Sequence, residues 1–132
     1  MSANVRSRYA EIAAFTTKDG SEIRELMHPS AHSVERQSLA EATLAPGERT
    51  ALHRHHSTEE LYHILAGSGR MTLAERELDV HAGDTICIAP GTAHCIANTG
   101  AEPLRLLCCC SPAYRDDDTE LLEVSRKSPP EA

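Results

Sequence analysis

Apolar and polar residues alternate in short segments along most of this chain, which is typical of β-strands with one buried face. The predicted strands are Glu22–Met27, Ser38–Leu44, Thr50–His55, Glu60–Ala66, Arg70–Leu73, Glu77–Val80, Thr85–Ile88, His94–Asn98 and Leu104–Cys110. No amphipathic helix interrupts the series from Thr50 onward, which disfavours a parallel βαβ fold. The pattern therefore predicts an all-β sandwich or barrel.

The residues before these strands predict less regular structure. Tyr9–Ala14 is compatible with a short helix. Thr16–Ser21 contains the dipeptide Asp19-Gly20, which suits the positive φ angles of hairpin turns. We therefore expect a turn between Thr16 and the first long strand.

The C-terminal end predicts a helix and a tail. Three aspartates, residues 116–118, precede Thr119–Leu122, and carboxylates at this position favour the positive N-terminal end of a helix. We therefore expect a short C-terminal helix. Residues 125–132 are charged and rich in proline, which predicts a disordered tail after a single domain at residues 1–124.

Length and charge exclude several classes of partner. A chain of 132 residues is large enough for one continuous hydrophobic core. Its 13 basic and 20 acidic side chains give a net charge of -7 without a basic stripe, so nucleic acid is not an expected partner. No apolar run approaches the ~20 residues of a membrane span, and residues 1–6 lack an apolar signal region. We therefore expect a cytoplasmic protein with no membrane partner.

Three histidines and one glutamate form a candidate metal site. On a β-strand, His53 and His55 point to the same face because side chains alternate with a period of two. The short segment after His55 permits a turn that brings Glu60 back on the neighbouring strand. His94 follows a Pro-Gly turn and offers a fourth ligand. Together these side chains predict one divalent ion held by nitrogen and oxygen ligands.

The four residues lie in two stretches that resemble the two sequence motifs of the cupin superfamily. The first motif, G-x5-H-x-H-x(3 or 4)-E-x6-G, is matched by Gly47, His53, His55, Glu60 and Gly67. The second, G-x5-P-x-G-x2-H-x3-N, is matched by Gly83, Gly91, His94 and Asn98. Ala89 stands at the proline position of the second motif, and we expect Pro90 beside it to keep the turn rigid. The spacing to Gly67 selects Glu60 rather than Glu59 as the motif glutamate.

The resemblance implies a small antiparallel β-barrel of jelly-roll type with the metal inside it. It implies His53, His55, Glu60 and His94 as ligands of one divalent transition metal ion, with Fe, Mn, Ni, Cu, Co and Zn all compatible with the ligand set. Single-domain cupins commonly form homodimers, so a homodimer is expected on family analogy.

Cupins with this ligand set include dioxygenases, oxalate-type decarboxylases, isomerases, lyases and epimerases, so the motifs indicate a site rather than one reaction. We expect a metal-dependent enzyme that acts on a small organic substrate, an organic anion or an enolisable carbonyl compound, with dioxygenase or oxidase chemistry favoured. The alternatives are a metal-dependent isomerase, decarboxylase or lyase, and a non-catalytic cupin that binds or senses a small ligand. Cupin thiol dioxygenases typically lack the glutamate, so Glu60 counts against that activity.

Other side chains near the motifs have weaker claims to a role. Tyr62 shares the predicted face of Glu60 and is the candidate catalytic residue, because its hydroxyl can donate a hydrogen bond or a proton to substrate. The alternative is a core tyrosine with its hydroxyl bonded to the backbone. Alternation directs His63 away from Glu60, and His56 falls opposite His55 or within the turn, so we interpret both as surface or supporting groups.

The cysteines do not form a secreted disulfide framework, since their number is odd and three are consecutive: Cys87, Cys95, Cys108, Cys109 and Cys110. Alternation places Cys108 and Cys110 on one face of a strand and Cys109 on the other. Small buried apolar residues are the favoured interpretation. A thiol near the metal or a redox switch is the alternative.

Overall fold

The computed structural model of this chain describes residues 4–123, so the tail expected at residues 125–132 lies outside the described part. The strands are β1 (Phe15–Thr16), β2 (Glu22–Met27), β3 (Ser38–Leu44), β4 (His53–His55), β5 (Glu59–Ala66), β6 (Ser68–Leu73), β7 (Arg76–His81), β8 (Thr85–Ile88), β9 (His94–Asn98), β10 (Leu104–Ser111) and β11 (Thr119–Leu121). Two short 3-10 helices cover Tyr9–Glu11 and Asp116–Asp118.

The strands form two antiparallel sheets. The larger sheet has the order β1-β2-β3-β10-β5-β8, and the smaller sheet has the order β11-β4-β9-β6-β7. Neighbours in each sheet are often far apart in sequence, as in the pairing of β3 with β10 and of β4 with β9. These crossovers confirm the predicted all-β fold of jelly-roll type. Within residues 4–123 no helix is long and apolar enough to cross a membrane.

The core lies where the inner faces of both sheets meet. The larger sheet contributes fully buried residues such as Leu44 and Ile64, and the smaller sheet contributes Met71 and Ile96. Along β5 the burial alternates with the predicted period, so that Glu60, Tyr62 and Ile64 face inward. Tyr62 and Ile64 belong to the core cluster, and Glu60 is a buried carboxyl group beside them on the same strand.

The predicted C-terminal helix is wrong in its main part. Thr119–Leu121 forms strand β11, which pairs with β4 so that Thr119 lies opposite His55 and Leu121 opposite His53. Only the three aspartates before it form a single 3-10 turn. A helix of one or two turns does not compensate for its own nucleation, whereas pairing with β4 gives these residues backbone hydrogen bonds at once.

The N-terminal segment also forms less helix than expected. The helix predicted at Tyr9–Ala14 is a single 3-10 turn, Tyr9–Glu11. Contacts with the larger sheet hold the surrounding backbone extended, since the Arg24 guanidinium donates to the Ile12 carbonyl and the Tyr9 hydroxyl donates to Glu41. Tertiary contacts therefore override a weak local preference.

Candidate metal centre

Three buried imidazoles meet where β4 lies beside β9. His53 and His55 project from β4 to the same side, as their spacing predicted, and the pairing of β4 with β9 puts His94 directly opposite His53. Each of the three offers one ring nitrogen, and these nitrogens all lie within 4.8 Å of one another. No more than 5% of any of the three residues is exposed. The triad therefore has the size and the donor atoms of a transition-metal site.

Hydrogen bonds at Nδ1 orient all three rings. The Nδ1 of His53 donates to the Ala51 carbonyl at 2.7 Å, and that of His94 donates to the Thr92 carbonyl at 2.9 Å. The Nδ1 of His55 lies 2.8 Å from the Thr119 hydroxyl. That hydroxyl donates to a backbone carbonyl, so it accepts from His55. Each neutral ring therefore presents the lone pair of Nε2, the form in which imidazole binds a metal.

Glu60 completes the group from the other sheet. Its Oε1 lies 3.1 Å from the Nε2 of His55 and 3.6 Å from the Nε2 of His94. These contacts bring acceptors together without a proton between them, and Glu60 Oε1 and His94 Nε2 have no hydrogen-bond partner among the described residues. Buried acceptors that face one another are costly unless a cation lies among them. This cluster of acceptors fits a divalent metal ion.

The protonation states of the His53 ring and the Glu60 carboxyl group also suit metal binding. Burial, followed by the charge of His94, lowers the pKa of His53 to about 4. Burial opposes ionisation of Glu60, but hydrogen bonds from His55 and His94, when these rings carry a proton at Nε2, outweigh it and lower the pKa of Glu60 to about 2. At neutral pH His53 is neutral and does not have to lose a proton before it binds a metal, and a cation among these acceptors would itself favour the ionised form of Glu60.

A cavity opens from the triad between the two sheets. Its apolar wall comes from aliphatic and thiol side chains, namely Ile23, Ala40, Ala42, Leu44, Ile96, Leu106, Cys108 and Cys110. Its polar wall includes side chains from β2 and the turn before it, namely Thr17, Asp19, Ser21 and Glu25. A small molecule in this cavity would contact both an apolar surface and the imidazoles of His53 and His55.

Tyr62 lines the same cavity. Its side chain is buried, and its ring centroid lies 5.9 Å from that of His94. Tyr62 belongs to the hydrophobic core cluster, but its hydroxyl forms no hydrogen bond with any group within residues 4–123. Burial, followed by the charge of Glu60, raises the pKa of Tyr62 well above its usual value. The hydroxyl therefore keeps its proton and is available as a donor.

Cys110 contacts the site, which was one of the two interpretations of the cysteine run. Its Sγ donates to Glu60 Oε2 at 3.3 Å, because the two residues lie opposite each other on β10 and β5. Cys108 and Cys110 are buried on one face and Cys109 is on the other, as alternation predicted. The thiol thus holds the carboxylate oxygen that is turned away from the imidazoles.

Two residues at the site have no signal in the motifs. Asp19 belongs to the predicted Asp-Gly turn, and its Oδ2 lies 3.5 Å from the Nε2 of His53. Thr119 belongs to the strand that the sequence predicted as a helix, and its hydroxyl orients His55. In both cases the pairing of distant segments, which local sequence does not report, brings the residue to the site.

The other histidines near the motifs lie outside the triad. His56 is exposed and contacts Glu120 at 3.1 Å, and His63 faces away from Glu60 and bonds to the Thr85 hydroxyl. Their positions agree with the interpretation as surface groups.

Comparison with known proteins connects this geometry to a family. The family described as "Cupin domain" matches residues 40–110. "Uncharacterized protein MJ1618" of Methanocaldococcus jannaschii is 49% identical over 119 residues, which cover 90% of this chain and 95% of that protein. "Auxin-binding protein 1" of Arabidopsis thaliana is 38% identical over 85 residues, or 58% of this chain, and the match spans only 42% of that protein.

Among solved structures, a crystal structure described as a predicted oxalate decarboxylase from Thermotoga maritima superimposes with a TM-score of 0.71 at 26% sequence identity. The superposition covers 85% of this chain and 99% of the other. The family match at residues 40–110 includes both β4 and β9 and spans more than half of the chain. This chain belongs to the cupin domain family.

Proposed function

We propose that this cupin is a metal-dependent enzyme that acts on a small organic substrate. In this proposal His53, His55, His94 and Glu60 hold one divalent transition metal ion. The observation that carries it is the buried cluster of acceptors, in which Glu60 Oε1 and His94 Nε2 lack any hydrogen-bond partner among the described residues. The Nδ1 hydrogen bonds already fix the rings, so binding costs little reorganisation.

Tyr62 is proposed as the catalytic residue of this chain. When bound, an ion such as Fe, Mn, Ni, Cu, Co or Zn supplies Lewis acidity and, if redox-active, oxidation chemistry with dioxygen. The Tyr62 hydroxyl, which has no other partner, donates a hydrogen bond to a substrate oxygen and stabilises negative charge that develops there. The aliphatic wall formed by Ile96 and Leu106 excludes water from the substrate.

We propose dioxygenase or oxidase chemistry, and two observations support specific alternatives. The similarity to a structure described as a predicted oxalate decarboxylase supports decarboxylation without net oxidation, and a lyase or isomerase reaction is the related non-oxidative alternative. The similarity to Auxin-binding protein 1 supports a protein that binds a small ligand without converting it. One substrate screen distinguishes the three functions. Oxygen uptake indicates a dioxygenase or oxidase, product release without oxygen uptake indicates a non-oxidative enzyme, and ligand binding without product indicates a binding protein.

The metal proposal is tested by elemental analysis of protein purified without an affinity metal. We expect near-stoichiometric transition metal in the wild type and little metal in His53→Ala and Glu60→Ala. Glu59→Ala is the matched control, because Glu59 is the neighbouring carboxylate on β5 but is exposed. Wild-type protein that contains no metal, and takes up none on reconstitution, would refute the proposal.

We also propose that the protein is a homodimer. The exposed apolar side chains Leu61 and Leu65 lie on the outer face of β5, and they support a contact there between two copies. Sedimentation at micromolar concentration should give twice the mass of one chain, and a monomer would refute this state. Cytoplasmic localisation and the absence of nucleic-acid partners stay predictions from the sequence.

A further inference from the structure

We propose that Asp19 binds a hydroxyl or amino group of the substrate, and that this substrate is neutral or cationic rather than an organic anion. The inference rests on the metal-dependent function proposed above and adds the chemical class of the substrate. It also narrows the expectation from the sequence, which included organic anions.

Asp19 is held rigidly in the turn between β1 and β2. Its Oδ1 accepts hydrogen bonds from the Thr17 hydroxyl at 2.8 Å, the Ser21 hydroxyl at 2.7 Å and the Ser21 backbone N–H at 2.9 Å. Gly20 supplies the positive φ of 94° that the turn needs. The Asp19 carbonyl accepts from the Ala51 N–H at 2.7 Å, which fixes the turn against the segment that leads into β4. A carboxylate held in this way is preorganised for binding.

The second oxygen of this carboxylate is free to bind a donor. Asp19 Oδ2 lies 3.5 Å from the Nε2 of His53, and it forms no hydrogen bond within residues 4–123. That nitrogen carries a lone pair, because the Nδ1 of His53 donates to the Ala51 carbonyl. Asp19 Oδ2 therefore receives no hydrogen bond from the His53 ring. A substrate that approaches the metal on the His53 side comes within hydrogen-bonding reach of Oδ2.

The cavity offers no positively charged side chain to an anion. Three carboxyl groups line it, those of Asp19, Glu25 and Glu60, and no lysine or arginine lines it in the described part of the chain. Lys18, the nearest cation in sequence, donates to backbone carbonyls of Asp116 and Thr119 instead. The two negative charges of Glu60 and Asp19 would together offset the charge of a divalent ion. This leaves little net electrostatic attraction for a dianion.

Two small probe molecules of similar size and opposite charge test the inference. Serinol (2-amino-1,3-propanediol) carries two hydroxyls and an amine, and tartronate (hydroxymalonate) carries two carboxylates around one hydroxyl. Each is titrated into Co²⁺-loaded protein after removal of free metal, and binding is followed by the visible absorption of cobalt. We expect serinol to bind wild-type protein at least about tenfold more tightly than tartronate.

Asp19→Asn should reduce this ratio at least about tenfold, since the charge is lost while the Oδ1 contacts remain possible. Asp19→Ala gives the same comparison without placing a new donor beside His53. Asp79→Asn is the control for net charge, because Asp79 is exposed on β7 and pairs with Arg70 at the surface. It should bind both probes as the wild type does.

The outcomes separate the inference from the function on which it rests. Tighter binding of tartronate by wild-type protein, no spectral change with serinol, or an unchanged ratio in both Asp19 variants would overturn the inference. Cobalt content measured on the same samples is the independent reading. Wild-type protein that retains neither cobalt nor any other divalent transition metal overturns the metal-dependent function itself, and the inference with it.

Discussion

His53 should make the metal-free protein less stable in weak acid. Its pKa is 6.5 in the unfolded chain and about 4 in the folded protein, because burial and the neighbouring His94 disfavour the protonated ring. Between these values the unfolded chain binds more protons than the folded chain. The free energy of unfolding therefore falls as the pH falls from 6.5 towards 4.

The pKa values give the size of this effect. Between pH 7 and pH 5 the linkage predicts a loss of about 2 kcal/mol from His53 alone. Glu60 contributes little in this range, because its stabilisation is lost only below the unfolded carboxyl pKa of 4.5, as the pH falls towards 2. The range from pH 7 to pH 5 therefore separates the contribution of His53 from that of Glu60.

The assay is urea unfolding of chelator-treated protein at pH 7 and pH 5, followed by far-ultraviolet circular dichroism. In His53→Gln the loss between the two pH values should be smaller than in the wild type by about 2 kcal/mol. His81→Gln is the control, since His81 is an exposed histidine at the end of β7. Its stability should depend on pH as that of the wild type does. An equal pH dependence in His53→Gln and the wild type would show that burial of His53 does not cause the loss of stability in weak acid.

Two further predictions concern support of the site and of the fold. Thr119→Val removes the hydroxyl that orients His55 and should weaken metal binding about tenfold, whereas Thr119→Ser keeps a hydroxyl and should bind metal as the wild type does. Competition with a chelator measures the metal affinity of both variants. Equal affinities of the two variants would contradict the orienting role of Thr119. Gly67→Ala puts a Cβ 2.7 Å from the Pro103 carbonyl oxygen at a φ of +87° and should lower the free energy of unfolding by about 3 kcal/mol. Gly47→Ala has a similar φ of +84° but open space, so it should cost less in the same urea titration; equal losses would contradict the steric explanation.

The sequence predicts this fold because its main signals are local. A period of two along β5 and β10 decides which side chains face inward, and the inward positions of Glu60 and Tyr62 follow from it. The histidine spacing on β4 works in the same way, since His53 and His55 must share a face on any strand. The structure brings together the four predicted ligand residues for these reasons.

The features that the sequence does not predict depend on contacts between distant segments. Thr119 carries helix-favouring neighbours, yet it pairs with β4 because an unpaired edge there leaves backbone groups without partners. Asp19 has the sequence of an ordinary turn, and its position beside His53 depends on how that turn docks onto the Ala51 backbone. Local propensity contains no information about either docking partner.

The most direct test of the metal centre is a crystal structure of the metal-loaded protein with anomalous diffraction data collected at the absorption edge of the bound metal. We expect one strong anomalous peak about 2 Å from the Nε2 atoms of His53, His55 and His94 and from a carboxylate oxygen of Glu60. A peak bound elsewhere, ligation through Nδ1, or a metal-free triad in protein that contains metal would contradict it.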